Sequence, residues 1–212
     1  MATKSLQSVR REGRAQRRAG RTRERLLEAA LAVFTEIGVD AAAIEDITER
    51  ADVGKGTFYR HFRDKYDLML ALVERAVEHL LERIHATEME PDSLEAALEL
   101  LLDAHSSFFV DNTEEFILFF QGRVLLKLQR ESAEELEQPY VRYLEEIEKH
   151  ISPFISRRID PVKVRRLACA VAGFVFGFLS FAMIGMDSEE IESSLRPLRR
   201  AFVAGLSTFL ER

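Results

Sequence analysis

Apolar residues recur at intervals of three and four along nearly the whole chain, which is the spacing of residues on one face of an α-helix. The pattern is plain near the N-terminus, at Leu26, Leu27, Ala30, Leu31 and Phe34. The helix-forming residues Leu, Ala, Glu and Arg are abundant, and no segment shows the strict alternation of polar and apolar residues that marks a half-buried strand. The sequence therefore predicts an all-α fold.

Charge is distributed unevenly along the 212 residues, although the net charge of the whole chain is −6. Residues 1–65 hold 14 Lys and Arg against 10 Asp and Glu, whereas residues 66–212 hold 16 against 26. The basic excess is largest in residues 1–25, which hold nine basic residues and two acidic ones. This asymmetry indicates an anionic partner for the N-terminal part alone.

The segment 44–62 has the pattern of a helix-turn-helix, with the sequence IEDITERADVGKGTFYRHF. Two short amphipathic stretches flank a tight break at residues 52–54, and in such a unit the second helix enters the major groove of DNA. Phe58 and Phe62 are four residues apart, so both are expected to face the core. The other side chains of the second helix are small, polar or cationic, as a DNA-reading surface requires.

The string GKGTFYRHFRDKYDL, residues 54–68, resembles the pattern K-G-T-x-Y-x-H/Y-F-x-x-K-x-x-L of the TetR family of transcriptional regulators. The resemblance continues upstream in the F-x-E-x-G-V-D pattern of residues 34–40, and it covers about residues 22–72. It implies a three-helix DNA-binding domain joined to a larger helical domain that binds a ligand and dimerises. It also implies a homodimeric repressor that binds palindromic operator DNA and is released by a small hydrophobic effector.

The resemblance divides the chain into three regions. We expect a flexible basic arm over residues 1–20, the helix-turn-helix domain over residues 21–66, and the ligand-binding and dimerisation domain over residues 67–212. The arm has no apolar periodicity, and two interpretations of it stay open. An Arg-rich arm can lie in or along the minor groove, or it can be a solubilising tail with only nonspecific attraction to DNA.

The resemblance also assigns DNA contacts to seven residues of this sequence. Phosphate contacts fix the position of the protein on the duplex, and contacts to base edges read the sequence. The resulting set is Thr57, His61 and Lys65 for phosphates, Lys55 and Gly56 for base edges, and Tyr59 and Arg60 for either.

The sequence departs from the family pattern at three positions. Asp52 stands where a turn glycine is usual, and we expect the turn to survive because Asp tolerates the left-handed conformation better than most residues. Gly54 replaces the more usual Ser as the cap of the second helix, at a cost of a few tenths of a kcal/mol. Glu45 stands where a polar or basic DNA contact is common, and a carboxylate there repels phosphate unless it accepts from the N4 amino group of cytosine.

The segment Leu167–Met186 has twenty residues without a charge, LACAVAGFVFGFLSFAMIGM. Its length and flanking charges are compatible with a membrane span. The competing interpretation, which we favour, is a helix buried on one side by its own domain and on the other by a second subunit. With the amphipathic final helix it would form a four-helix dimer bundle, so we expect homodimerisation through about residues 162–186 and 188–210.

Aromatic residues are dense in the C-terminal two-thirds, which suits a pocket for a small hydrophobic or aromatic ligand. Most of these side chains could equally be ordinary core. The ligand-contact candidates are His105, Phe109, Phe120, Arg123, Tyr143 and Phe174, with Arg123 as the polar contact unless it is simply exposed.

Enzyme classes lack support in the sequence, which has no nucleophile elbow, no phosphate-binding glycine loop and no His, Cys and Asp cluster at metal spacing. We therefore expect no catalysis, no cofactor and no metal. The single cysteine, Cys169, indicates the reducing cytoplasm and is expected to be a small core residue. The alternative to the regulator is a membrane-anchored or lipid-binding helical protein without operator specificity.

Overall fold

The computed structural model describes residues 2–86, 90–129, 133–156, 158–182 and 184–211. The side chains of residues 2–15, 123–136, 188, 192, 207, 210 and 211 lie outside this description. Within the described ranges the regular structure is entirely helical, with no strand, which confirms the predicted all-α fold.

The chain forms two compact units, Met1–Leu72 and Val73–Arg212. This division lies six residues beyond the predicted domain boundary at residue 66. The predicted boundary concerns function as well as compactness, so it stays a prediction. The first unit contains α1 (Ala2–Ile37), α2 (Ile44–Arg50), α3 (Lys55–Phe58) and the start of α4 (Lys65–His85). Helix α4 continues into the second unit, so one helix belongs to both.

Helix α1 includes residues 2–20, where the sequence indicated an irregular arm beginning a helix only at Thr22. The Thr22 hydroxyl donates to the Arg18 carbonyl oxygen over 3.0 Å, which is an interaction inside a helix rather than an N-cap. The segment is rich in Arg and contains several Ala and Gln residues, whose intrinsic propensity favours helix without an apolar face. Flexibility of this segment and its contact with the minor groove stay predictions.

The break between α2 and α3 follows the chemistry predicted for Asp52. Asp52 has a φ of 50°, in the left-handed region, while the Val53 N–H donates to the Thr48 carbonyl and the Asp52 N–H to the Glu49 carbonyl. This pair of hydrogen bonds is the Schellman arrangement that ends a helix. Gly54 is the N-cap of α3 and provides no side-chain hydrogen bond, as expected.

The second unit contains five further α-helices among its described residues. Helix α8 ends at Ala182 rather than continuing to residue 186, because Gly185 adopts a left-handed turn with φ of 89°. These helices are α5 (Leu94–Asp111), α6 (Thr113–Gln129), α7 (Ala133–Ile151), which continues into a 3-10 turn at Ser152–Phe154, α8 (Pro161–Ala182) and α9 (Ser188–Glu211).

An aromatic cluster forms the centre of the second unit. The Phe116 and Phe176 rings stack with their centroids 4.6 Å apart, and Phe119 packs against Phe176 at 4.9 Å. Phe116 and Phe119 come from α6 and Phe176 from α8, so the cluster joins these two helices. Aromatic contacts of this kind stabilise a core beyond the area they bury.

A buried carboxylate connects α6 to α4 within the second unit. Glu115 lies 3.0 Å from the Arg75 Nε and 2.7 Å from the His79 Nδ1. Arg75 and His79 lie one turn apart on α4, so a single acidic side chain holds two positions of that helix. Removing this acid would leave the largely buried Arg75 guanidinium without this carboxylate, which is destabilising.

Candidate DNA-binding surface and ligand cavity

Helix α3 presents two chemically different faces. Phe58 is fully buried and Phe62, just after the helix, is 3% exposed, which confirms that both phenylalanines face the core. Tyr59 is 57% exposed, although the edge of its ring packs against Phe58 with centroids 5.4 Å apart. Lys55, Gly56 and Arg60 are also exposed. The outer face therefore combines cations, a phenol and a stretch of accessible backbone.

Two of the predicted phosphate contacts are restrained by neighbours. The Arg60 guanidinium donates to the Thr57 hydroxyl oxygen over 3.2 Å, so these side chains lie together. Burial, followed by the charges of Arg60 and Arg23, lowers the pKa of His61. His61 is consequently neutral at pH 7, where it can form hydrogen bonds without adding charge.

Lys65 connects α4 to the loop between α1 and α2. Its ammonium donates to the carbonyl oxygens of Asp40, over 3.1 Å, and Ala42, over 2.8 Å. A lysine ammonium has three donors, so one remains for a phosphate. The residue thus has a structural role within the first unit that the sequence did not reveal.

The role of Glu45, open in the sequence, becomes specific in the structure. Its carboxylate forms an ion pair with the Lys55 ammonium, the first residue of α3. The pair joins α2 to α3 on the exposed side of the helix-turn-helix. On the opposite end of α2, the Arg25 guanidinium donates to the Ala51 carbonyl over 2.5 Å and so connects α1 to the turn.

A cavity of about 180 Å³ lies between α6, α7 and α8 in the second unit. A dry apolar cavity of about 150 Å³ is large enough to hold benzene, so this one suits a small aromatic group. The lining is mostly aromatic and aliphatic, and consists of Phe119, Phe120, Tyr140, Tyr143, Leu144, Cys169, Ala172, Gly173 and Phe176.

Cys169 is exposed and lines the cavity, so the expectation of a buried core residue is wrong. The apolar neighbours of Cys169 in the sequence suggested burial. However, α8 buries the face that carries Ala168, Val171 and Val175, and Cys169 lies off that face.

The polar centre of this unit is a hydrogen-bonded pair, His105 and Tyr143. His105 is fully buried, and its Nδ1 donates to the Leu101 carbonyl oxygen over 2.5 Å. The Tyr143 hydroxyl donates to the His105 Nε2, also over 2.5 Å. Burial lowers the pKa of His105 to about 4 and raises the pKa of Tyr143, so both groups are neutral at pH 7.

The predicted ligand contacts are divided among several places. Phe120 and Tyr143 line the cavity, and His105 lies behind Tyr143 with both ring nitrogens occupied. Phe109 lines a different cavity, between α5 and α9. Phe174 stacks on Phe202 of α9 with ring centroids 4.2 Å apart. The Arg123 side chain lies outside the described residues. Their roles in ligand binding stay predictions.

The six predicted ligand contacts leave out several lining residues, notably Tyr140, Cys169 and Phe176. Tyr140 donates to the Phe119 carbonyl over 2.9 Å and stacks on the Phe119 ring. The available signal was the spacing of Tyr140 and Tyr143, which share a face of α7. Nothing in the sequence showed that this face meets α8.

Helix α8 buries only part of its apolar surface within one chain. It is long and apolar enough to cross a membrane, yet only 33% of its most apolar window is buried. Phe181 is 77% exposed, and Gly173 is also exposed. On α9, Leu198 and Phe209 are exposed as well. We call the set Gly173, Gly177, Phe181, Leu198 and Phe209 the α8–α9 apolar face.

Comparison with known proteins identifies the first unit. A family model described as bacterial regulatory proteins, tetR family, matches residues 26–72. The chain is 30% identical over 124 residues to YvdT, an uncharacterized HTH-type transcriptional regulator of Bacillus subtilis, covering 58% of this chain and 63% of YvdT. A TetR-family regulator from Streptomyces coelicolor has a similar structure, with a TM-score of 0.62 and 25% identity over 87% of this chain and 99% of that chain.

The chain therefore contains the N-terminal domain of the TetR family, at residues 26–72. The TetR-family proteins that it matches are transcriptional regulators rather than enzymes, which confirms the expectation that it is not an enzyme. The chain spans less than two thirds of the length of YvdT. FadR of Bacillus subtilis, solved in complex with stearoyl-CoA, has the same fold, with a TM-score of 0.63 and 20% identity over 86% of this chain and 96% of that chain.

Proposed function

We propose that this protein is a cytoplasmic, ligand-responsive repressor of the TetR family that binds palindromic operator DNA as a homodimer. The outer face of α3 is the observation that carries the proposal. Its phenylalanines are buried behind it, whereas Lys55, Tyr59 and Arg60 are exposed. Donors on the exposed face of a short helix can reach both base edges and phosphates in the major groove.

Replacing Tyr59 with Phe is expected to weaken DNA binding about tenfold without changing stability, because a hydrogen bond to a charged group contributes roughly 1.5–3 kcal/mol. The experiment recovers preferred sites from a randomised duplex library with the wild-type protein and then measures affinity by fluorescence anisotropy at fixed salt. Tyr66→Phe, in the same unit but outside α3, is the matched control. Equal DNA affinities of Tyr59→Phe and wild type would show that the Tyr59 hydroxyl does not contact DNA.

Dimerisation is supported by the α8–α9 apolar face. A palindromic site requires two reading helices related by a two-fold axis, and an exposed apolar face on two adjacent helices supplies a self-complementary surface. Close approach of two α8 helices is possible at Gly173 and Gly177, where an added Cβ would meet no atom within 4 Å in the single chain.

The cavity supports a small, uncharged and largely apolar ligand. Its two tyrosine hydroxyls already donate, to His105 and to the Phe119 carbonyl. Among the described residues, the lining holds no Asp, Glu, Lys, Arg or His side chain that would pair with an ionised ligand. FadR was solved in complex with stearoyl-CoA, which carries a long acyl chain. From that complex we carry over to this chain only the expectation that the ligand is apolar.

Cys169 is expected to report occupancy of this cavity, because it is the only cysteine of the chain and lies in the lining. A thermal-shift screen of naphthalene-sized aromatic compounds selects a ligand, and that ligand should slow the reaction of Cys169 with a maleimide. Ala172→Phe fills the cavity, and it should abolish the thermal shift while leaving DNA binding intact.

Ala86→Phe places the same side chain at the exposed residue directly after α4 and serves as the control, which should keep the thermal shift and the protection of Cys169. Unchanged ligand response in Ala172→Phe would place the ligand site elsewhere.

A route from the cavity to α4 passes through Gly122 of α6. A Cβ at Gly122 would lie 2.8 Å from the Val73 Cγ2 and 3.3 Å from the Tyr140 hydroxyl oxygen. Tyr140 lines the cavity and Val73 belongs to α4, whose first residue is Lys65. A ligand that displaces Tyr140 would therefore press α6 on α4, and it releases DNA only if it binds the DNA-incompetent state more tightly.

The alternative of a membrane-anchored or lipid-binding protein is favoured by one observation, the apolar and incompletely buried α8. Burial of that helix against a second copy predicts that the purified chain stays in solution without detergent. A protein that requires detergent would support the membrane alternative instead.

A further inference from the structure

The ion pair between Glu45 and Lys55 lies on the side of the helix-turn-helix that the proposed function turns toward DNA. Glu45 is the second residue of α2 and Lys55 the first residue of α3. The Glu45 side chain is 58% exposed and that of Lys55 is 54% exposed. Exposed ion pairs contribute little to stability, so the fold does not depend on this one.

The other acidic side chains at this end of α2 have different surroundings. Asp46 accepts from the Ala43 N–H over 2.8 Å and so caps its own helix. Glu49 is exposed one turn further along α2. Of the three, Glu45 is the one that contacts α3 among the described residues, and it does so at the first residue of that helix.

An acidic residue at this place opposes nonspecific binding. In a helix-turn-helix the first helix crosses the phosphate backbone, where a carboxylate is repelled. Lys55 cancels that charge, but it then adds no net attraction to the phosphates. Since sequence-independent affinity scales with the number of phosphates neutralised, the pair lowers binding to random DNA.

The same two side chains fit the major-groove edge of a G·C pair. Guanine presents two acceptors, N7 and O6, beside the N4 donor of cytosine. Lysine has only donors and an ionised glutamate only acceptors. A lysine held next to a glutamate therefore matches the G·C edge, whereas in an A·T pair the two acceptors, N7 of adenine and O4 of thymine, are separated by the N6 donor of adenine.

We propose that Glu45 and Lys55 act as one unit that reads a G·C pair in each operator half-site, with Lys55 donating to guanine and Glu45 accepting from cytosine. The inference rests on the DNA-binding function proposed above. It makes Glu45 a residue that determines specificity. On a G·C pair both side chains find hydrogen-bond partners, whereas on other base pairs at least one of them is repelled or left without a partner.

The test compares the full-length wild type with Glu45→Gln, Lys55→Gln and the double variant. Binding is measured on the site recovered from the randomised library, on every single base-pair change in that site, and on a duplex of random sequence. Both single variants should lose about tenfold discrimination at the same G·C pair, and the double variant should lose no more. Glu45→Gln should also bind random duplex more tightly, with a salt slope steeper by roughly 0.9.

Glu49→Gln is the matched control, since it makes the same charge change on the same helix away from Lys55. If the wild type recovers no preferred site, the proposed function fails. If a site is recovered but Glu45→Gln and Glu49→Gln keep the wild-type base preferences, the proposal that Glu45 and Lys55 read a base pair together is overturned. Loss of discrimination at different base pairs in the two single variants overturns it as well, because the residues would then act separately.

Discussion

Replacing Phe181 with Glu is expected to convert the proposed dimer into a folded monomer that no longer binds the proposed operator. Phe181 is 77% exposed in the single chain, so the monomer loses little by the change. In a two-fold dimer the substitution enters the interface twice, and each lost burial of a phenylalanine costs about 1.5–3 kcal/mol. The dimer dissociation constant should therefore rise on the order of 10²- to 10⁴-fold.

Sedimentation velocity over a range of protein concentrations measures this change, and circular dichroism checks that the monomer keeps its helices. Ile37→Glu is the control, because Ile37 is a half-exposed apolar residue at the end of α1, outside the α8–α9 apolar face. The control should stay dimeric. A Phe181→Glu variant that remains a dimer at nanomolar concentration would show that the subunits meet through another surface.

Replacing His105 with Leu is expected to lower the free energy of unfolding by about 1–3 kcal/mol, because the buried Tyr143 hydroxyl loses its acceptor. Adding Tyr143→Phe removes that orphaned hydroxyl. The double variant should therefore recover much of the loss, as apolar replacement of both partners can be nearly neutral. Urea unfolding followed by circular dichroism measures all four members of this cycle.

His105 should also make the wild type less stable in acid. Its pKa is about 4 in the folded protein against 6.5 when unperturbed, so between these values the unfolded chain binds more protons. The free energy of unfolding then falls as the pH is lowered from about 6.5 to about 4, by about 3 kcal/mol in total. Above pH 6.5 both states are neutral at this residue and the contribution is constant.

The Tyr143→Phe variant separates the proton-linked effect from the hydrogen bond. It keeps His105 buried, so its stability should retain the slope between pH 4 and 6.5, whereas His105→Leu should lack that part of the slope. An identical pH dependence in wild type and His105→Leu would mean that other groups cause the acid sensitivity.

Local chemistry made much of the first unit predictable. Phe58 and Phe62 are buried because aromatic residues four apart lie on the same side of a helix and of the helical turn that follows it. Asp52 takes the left-handed conformation because the break between two helices requires one and Asp tolerates it. The Arg-rich segment before residue 21 was misjudged for a related reason. Apolar periodicity predicts a helix only where one face is apolar, and the sequence of this segment has no such periodicity.

Contacts between residues distant in sequence were beyond such reasoning. Glu45 meets Lys55 because a tight turn folds α3 against α2, and Lys65 reaches the Asp40 and Ala42 carbonyls 25 and 23 residues away. The aromatic residues of α6, α7 and α8 look alike in the sequence. Which of them line a cavity depends on how three helices pack, and this packing also places Cys169 in the lining rather than in the core.

The order of residues by itself determined the helical architecture, the helix-turn-helix and the match to the TetR-family model, since those follow from spacing and turn chemistry among neighbouring positions. Tertiary structure alone decided the partners of each polar group. It brought His105 into a hydrogen bond with Tyr143 and Glu45 into an ion pair with Lys55, and it left one side of α8 exposed. The physical reason is that hydrogen bonds and ion pairs act over a few ångströms in space, whatever the distance along the chain.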